Sequence, residues 1–187
     1  MRANVLIYTV GHSTRSIEEF LALLRSRDIR CLVDVRRYPG SRRHPHFSRD
    51  ALSVSLAAAG MSYLHLPEHG GRRDPLPDSP NTGWKNAAFR GYADHMASEE
   101  FRSGLERLLE IAGGATTAVM CAEAVPWRCH RNLLSDALVA RRVEVCHIFD
   151  VAADKEHALT PFAVVERGGV AYPASRQGRL LEDQDEP

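Results

Sequence analysis

The most reactive part of the chain is the stretch 121–131, which reads CAEAVPWRCHR. Pro126 suits the first turn of a helix, and the N-terminus of a helix has free backbone N–H groups that favour anions. A cysteine close to such a terminus and to arginines has a stabilised thiolate. The candidate catalytic residues of this stretch are Cys121, Glu123, Cys129 and His130, with Arg128 and Arg131 as candidate substrate ligands.

The order of a cysteine, a loop and an arginine resembles enzymes that form a thiophosphate or persulfide intermediate. Cys121 and Arg128 are one residue further apart than the cysteine and arginine of the phosphatase version. Inert packing of the thiols, or a redox or metal role, is the alternative to a nucleophilic cysteine.

A second reactive segment, 36–49, contains five arginines, two histidines and no acidic residue. Guanidinium groups bind phosphate and carboxylate in a bidentate way, so Arg36, Arg37, Arg42 and Arg43 are predicted to hold an anion. The neutral total charge, 24 basic against 24 acidic residues, conceals this local charge. A merely solvated surface is the alternative, and the His44-Pro45-His46 tripeptide leaves metal binding open, although its spacing fits no structural zinc pattern.

Three further polar residues follow or end predicted strands. His12 and Ser13 come directly after the first strand, where His12 is a candidate for proton transfer and Ser13 for substrate binding. Asp34 lies in an otherwise apolar strand end, where a carboxylate costs free energy unless it is paired. Asp34 is therefore expected to pair with an arginine, to serve as a site carboxylate, or both.

Five alternations of strand and helix follow from the apolar periodicity. The strands are predicted at 4–10, 30–35, 61–66, 116–121 and 143–149. This order predicts an α/β fold: an open, doubly wound, mostly parallel sheet of about five strands with helices on both faces. Residues 1–150 are expected to form this domain. Residues 151–187 are expected to form an appendage with a small hairpin and an acidic tail.

The fold predicts where the reactive segments meet. In such sheets ligands bind beyond the carboxyl ends of the strands, and all the segments named above follow strands. We therefore expect them to line one pocket at that edge of the sheet.

Composition excludes several classes of protein. No apolar run approaches the roughly 20 residues of a membrane span, and the first residues make a poor signal peptide, so a cytoplasmic protein without a membrane partner is expected. In that compartment a disulfide framework is not expected, and Cys31 and Cys146 fit small buried apolar residues. Neither GxGxxG nor GxxxxGK[ST] occurs, and no cofactor is predicted.

Several motifs occur in the order of a widespread prokaryotic family. They are the segments 8–13 (YTVGHS), 34–36 (DVR) with Pro39 and Ser41, 63–66 (YLHL) before a Gly-Gly pair, 89–92 (FRGY) and 121–123 (CAE) before Cys129-His130-Arg131. Over about residues 5–150 the chain resembles the family catalogued as domain of unknown function 488. The resemblance implies an α/β domain and no particular reaction. A DNA-repair label on some relatives points to a nucleic-acid substrate.

Together these observations favour an enzyme that acts on a phosphate-bearing small molecule or nucleic acid through an arginine-lined pocket and a cysteine. A nucleic-acid-binding module without catalysis and a metal-binding protein are the alternatives. The non-catalytic module would bind nucleic acid with an affinity that falls with salt.

Overall fold

The computed structural model describes residues 5–40 and 42–174. Its strands are β1 (Leu6–Gly11), β2 (Cys31–Asp34), β3 (Ser62–His65), β4 (Thr117–Cys121), β5 (Glu144–Ile148), β6 (Asp154–Glu156), β7 (Val164–Glu166) and β8 (Gly169–Ala171). Its α-helices are α1 (Ile17–Arg25), α2 (Arg49–Ala58), α3 (Ala87–His95), α4 (Glu99–Gly114) and α5 (Arg131–Ala140). Short 3-10 turns lie at Pro45–Phe47, Pro67–His69 and Pro126–Arg128.

The main sheet has the strand order β3-β2-β4-β1-β5-β6. The five predicted strands are all present and pair in parallel, whereas β6 adds to β5 in the antiparallel sense. The predicted α/β fold is therefore confirmed. The sixth strand was missed because its residues, Asp154-Lys155-Glu156, are charged and exposed and give no apolar pattern.

Helices cover both faces of the sheet. On one face, Val10, Leu32 and Met120 pack with apolar residues of α1 and α2. On the other face, Val33 and Val119 belong to a core that includes residues of α3, α4 and α5. Alternate residues of each strand therefore point into different cores, as the period of a β-strand requires.

Helix starts agree with the sequence in some places and differ in others. Ser16 and Glu19 form a capping box at α1, as the Ser-x-x-Glu spacing favours. Pro126 begins a 3-10 turn rather than the expected helix, and α5 begins at Arg131 because Cys129 has an extended backbone. This break places Cys129 just before the N-terminus of α5 rather than inside the helix.

The segment after residue 150 adds β6 to the main sheet and contacts α5 through β8 and Tyr172. The predicted hairpin is present as β7 and β8. Tyr172, directly after it, is fully buried and donates its hydroxyl to Asp136 of α5 at 2.8 Å. The predicted acidic tail and Ser41 lie outside the described residues. Within residues 5–40 and 42–174, no helix is long and apolar enough to cross a membrane.

Candidate active site

A pocket of about 720 Å³ opens at the carboxyl edge of β1, β2 and β4. Ten of the thirteen residues predicted for the site line it. They are His12, Ser13, Arg36, Arg37, Arg43, Cys121, Glu123, Arg128, Cys129 and His130. The other three, Asp34, Arg42 and Arg131, are not part of its lining. Sequence segments that are far apart in the chain thus meet in one cavity.

The backbone brings the loops after β1 and β4 together. His12 N donates to Cys121 O at 3.0 Å and Ser13 N donates to Ala122 O at 2.9 Å, so the parallel pairing continues beyond the strands. Gly11 makes this approach possible, because a Cβ at this position would lie 1.8 Å from the carbonyl oxygen of Glu123. The glycine therefore fixes how closely the Cys121 loop approaches β1.

The two cysteines of the predicted site form a pair at the base of the pocket. Cys121 Sγ and Cys129 Sγ are 2.7 Å apart, and both side chains are almost completely buried. The backbone N–H of Arg131, at the first position of α5, points to Cys129 Sγ at 3.5 Å. His130 Nδ1 lies 3.6 Å from the same sulfur.

The surroundings of the pair give the two thiols different pKa values. Burial raises the pKa of Cys129, but the hydrogen bond from Cys121 and the charge of Arg131 outweigh burial and lower this pKa to about 7. Burial and the hydrogen bond to Cys129 raise the pKa of Cys121 well above its usual value. The first proton to leave the pair therefore leaves a thiolate at Cys129, which the Cys121 S–H stabilises as a donor.

Arg131 lies behind the thiols, not in the pocket as the sequence suggested. It is 1% exposed. Its Nε donates to Cys121 Sγ at 2.9 Å, one Nη donates to Thr9 Oγ1 at 3.1 Å, and the other donates to Glu123 O at 2.6 Å. These hydrogen bonds tie the guanidinium group to Cys121, to Thr9 and to the loop after β4. No pair of N–H donors therefore remains for bidentate binding of a substrate.

A chain of buried side chains continues from Arg131 into the protein. Thr9 Oγ1 is 2.7 Å from His147 Nδ1, and His147 Nε2 is 2.9 Å from His157 Nδ1. His157 Nε2 is in turn 2.8 Å from Asp136 Oδ1. We call Thr9, His147, His157 and Asp136 the buried relay.

Hydrogen-bond chemistry orders the protons of the buried relay when each histidine ring carries one proton. A carboxylate only accepts, so the proton of His157 is then on Nε2, and Nδ1 accepts from His147. His147 then accepts the Thr9 hydroxyl proton, and Thr9 oxygen accepts from Arg131. Burial, with the neighbouring His157 and Arg131, lowers the pKa of His147 to about 3, which keeps the ring neutral as this order requires.

Asp34 and Arg36 form a second buried unit on the other side of the pocket. Asp34 is completely buried and accepts from Arg36 Nη2 at 2.6 Å, from Arg36 Nε at 2.9 Å and from Tyr63 Oη at 2.8 Å. Arg36 also donates to Phe47 O at 2.8 Å. The expected pairing of Asp34 with an arginine is present. The Asp34 carboxylate is not part of the pocket lining.

His12 belongs to the same unit. Its Nδ1 is 2.9 Å from Ser13 O, its Nε2 is 3.4 Å from Arg36 Nη1, and its ring stacks on Phe47. Burial and the charge of Arg36 lower the pKa of His12 to about 4. The predicted proton transfer by His12 near neutral pH is therefore not favoured, because the ring is neutral there and already bonded on both sides.

The remaining predicted ligands differ in where they point. Arg43 and Arg128 are exposed and line the pocket, as does Arg37, which also donates to Arg72 O at 2.9 Å. Arg42 is exposed outside the pocket lining. Among the described residues, no three His, Cys, Asp or Glu side chains are grouped so that they could hold a metal ion.

The sequence reasoning missed residues of two kinds. Arg72 lines the pocket from the segment after β3, and its position after a strand was the available signal. Thr9, His147, His157 and Asp136 gave no usable signal, because they sit in β1, in β5, just after β6 and in α5, and only the tertiary fold joins them.

Comparison with known proteins adds a family but no activity. No curated protein and no solved structure matches the chain. A family model described as "Domain of unknown function DUF488" matches residues 16–138, from α1 into α5, and so covers the thiol pair, Asp34 and Arg36. With about two thirds of its length matched, the chain belongs to the DUF488 family.

Proposed function

We propose that the protein is a cysteine-dependent enzyme that transfers or hydrolyses the phosphoryl group of a small phosphate-bearing molecule or a nucleic-acid end. One observation carries the proposal. The thiol pair with its acidic Cys129 lies at the base of a pocket whose lining contains five arginines and a single carboxylate.

The charges of the lining favour an anionic substrate. The arginines are Arg36, Arg37, Arg43, Arg72 and Arg128, and the carboxylate is Glu123. Guanidinium groups in a concave site raise the local concentration of anions and bind phosphate oxygens in pairs. Since Arg36 is bonded to Asp34, the exposed arginines of the rim are the ones that would bind the phosphate.

The thiolate of Cys129 would be the nucleophile. Its sulfur attacks phosphorus, an S–P bond forms, and the bond from phosphorus to the leaving oxygen breaks; that oxygen takes up a proton. Water then attacks the thiophosphate, loses a proton to Glu123, and breaks the S–P bond to return phosphate and the Cys129 thiolate. Transfer to an alcohol instead of water follows the same balance.

Thiol alkylation mapped by mass spectrometry tests the first half of this proposal. The rate of iodoacetamide labelling at Cys129 is measured against pH, with and without inorganic phosphate, a nucleoside monophosphate or a 5′-phosphorylated oligonucleotide. We expect a midpoint near pH 7 and slower labelling with at least one of these anions. Labelling that requires strongly alkaline pH, or that none of the anions slows, contradicts the proposal.

Release of inorganic phosphate from the same nucleotide and oligonucleotide tests the second half. Cys129→Ser should abolish release, whereas Cys146→Ser is the matched control, since Cys146 lies in β5 outside the pocket lining and should change nothing. Full release by Cys129→Ser would remove the thiol from the mechanism.

A nucleic-acid-binding module without catalysis is the second candidate. Four exposed residues of the segment after β2 favour it, because arginines bind the nucleic-acid backbone and an exposed aromatic ring stacks on a base; they are Arg37, Tyr38, Arg42 and Arg43. The non-catalytic module should bind a single-stranded oligonucleotide, and the logarithm of its binding constant should fall linearly with the logarithm of the salt concentration. Such binding together with a thiol that is inert at every pH would favour the module over the enzyme.

A further inference from the structure

The thiol pair has a geometry that nucleophilic catalysis alone does not need. The two sulfurs are 2.7 Å apart, and a disulfide bond requires about 2.05 Å. Both cysteines line the pocket, so a small molecule that enters it lies next to the thiol pair. Formation of a bond between them needs only a fraction of an ångström of further approach.

We propose that Cys121 and Cys129 are a redox couple, in which a hydroperoxide that enters the pocket converts the dithiol into an intramolecular disulfide. Cys129 is the attacking thiol and Cys121 the resolving thiol. This redox step stands independently of the phosphoryl chemistry.

The reaction balances in two steps. The Cys129 thiolate attacks one peroxide oxygen, the O–O bond breaks, and the released oxygen leaves as an alcohol, or as water from hydrogen peroxide, after it takes up a proton. Cys129 is then a sulfenic acid. The sulfur of Cys121 attacks this sulfur, the S–O bond breaks, and the oxygen leaves as water with the Cys121 proton. The two thiols are oxidised by two electrons and the peroxide is reduced by two. A small dithiol reduces the disulfide back to the two thiols and is itself oxidised to a disulfide.

Three contacts assign these roles to the two cysteines. The Arg131 backbone N–H donates to Cys129. Either sulfur can donate in the contact between the two cysteines, and the lower pKa of Cys129 leaves the S–H on Cys121 and the negative charge on Cys129. Arg131 Nε, 2.9 Å from Cys121, stabilises the thiolate character that Cys121 needs when it attacks the sulfenic acid. Thiolates are the species that react with peroxides and disulfides.

The other two cysteines lack this environment. Cys31 lies on β2 and Cys146 on β5, neither lines the pocket, and burial raises the pKa of both thiols. Oxidation should therefore be selective for the pair. Since the disulfide would consume the proposed nucleophile, it would also reversibly switch off any chemistry at Cys129 and protect that sulfur from irreversible oxidation.

Peptide mapping of the intact, reduced protein after treatment with equimolar hydrogen peroxide tests the proposal. Trypsin cleaves after Arg128, so the disulfide would join peptide 108–128 to peptide 129–131 under non-reducing conditions. We expect this linked species to be the main product, to carry two hydrogens fewer than the two peptides, and to disappear on treatment with dithiothreitol. Cys146→Ser should give the same product.

The variants decide between the alternatives. Cys121→Ser keeps a hydroxyl donor beside Cys129 and should yield sulfenic or sulfinic acid at Cys129 without a linked peptide. A parent protein that yields only sulfinic or sulfonic acid, links other cysteines, or stays reduced overturns the redox proposal. If the linked peptide forms but no phosphate-bearing anion protects Cys129, the redox couple stands and the phosphoryl-transfer proposal fails.

Discussion

Four arginines at the site fall into two groups that differ in their exposure. Arg36 and Arg131 are buried, and their guanidinium groups are committed to protein atoms. Arg43 and Arg128 are exposed and face the pocket. One residue type thus supplies both the internal support of the site and its outer surface.

The difference between the groups is one of free energy. A buried guanidinium group replaces its hydrogen bonds to water with hydrogen bonds to protein acceptors. Removing the group therefore leaves several buried acceptors unsatisfied. An exposed guanidinium group stays hydrated. Its removal changes the electrostatic potential in the pocket more than the free energy of unfolding. Variants of each group should therefore affect different measurements.

The largest effect is expected from Arg131→Met. It leaves the Thr9 hydroxyl, two loop carbonyls and the thiol pair without their shared donor, so the free energy of unfolding should fall by about 3–5 kcal/mol. The pKa of Cys129 should rise because the neighbouring positive charge is gone. Urea denaturation and the pH profile of thiol alkylation measure the two effects.

Arg128→Met is the matched control, since Arg128 is the exposed arginine closest in sequence. Its free energy of unfolding should stay within about 0.5 kcal/mol of the parent value. Equal losses for the two variants would contradict the division into buried and exposed arginines.

The next largest effect is expected from Asp34→Asn. The substitution removes the charge that balances Arg36, while the amide oxygen still accepts one hydrogen bond, so a loss of about 3 kcal/mol is expected. Asp50→Asn, an exposed aspartate in the first turn of α2, should cost less than about 1 kcal/mol. A loss at Asp34 no greater than that at Asp50 would show that the buried pair contributes nothing to stability.

The parts of this arrangement that follow from local pattern could be predicted from the sequence. Apolar strands such as those ending at Asp34 and Cys121 give the sheet, and the sheet places whatever follows them at one edge. That geometry is why ten of the thirteen predicted residues line one pocket. The capping box at Ser16 is equally local.

The roles of individual residues depend on contacts between distant segments. Arg131 and Arg128 are three residues apart, yet the chain turns at Cys129 and sends one side chain inwards and the other outwards. Likewise, no spacing rule joins Thr9 to His147, since 138 positions separate them and only the pairing of β1 with β5 brings them together. Burial of a polar side chain is a tertiary property, so residue type alone could not assign it.

A smaller effect concerns pH and the histidines beside each buried arginine. In the unfolded chain a histidine has a pKa of about 6.5, whereas His147 has a pKa of about 3 and His12 about 4 in the folded protein. Below pH 6.5 the unfolded state binds protons that the folded state does not, so the free energy of unfolding falls as pH falls. Each histidine should contribute a slope of up to about 1.4 kcal/mol per pH unit, down to its folded pKa.

Urea denaturation at pH 7 and pH 5 of the parent, His147→Asn and His12→Asn measures this slope. In each variant the free energy of unfolding should change less between the two pH values than in the parent, whatever its value at pH 7. An unchanged difference between the two pH values in both variants would mean that neither ring is kept neutral by its burial.

The smallest effect on stability, and the most informative for function, is expected from the double variant Arg43→Ala and Arg128→Ala. Both side chains are exposed, so the free energy of unfolding should change by no more than about 0.5 kcal/mol per site.

The protection of Cys129 by inorganic phosphate or a nucleotide should weaken and depend less on salt, because fewer phosphate contacts remain. Arg102→Ala is the control: this exposed arginine of α4 pairs with Glu99, lies outside the pocket lining, and should leave protection unchanged. If the double variant binds anions as the parent does, Arg43 and Arg128 are not the anion ligands, and the exposed Arg37 and Arg72 of the same lining become the candidates.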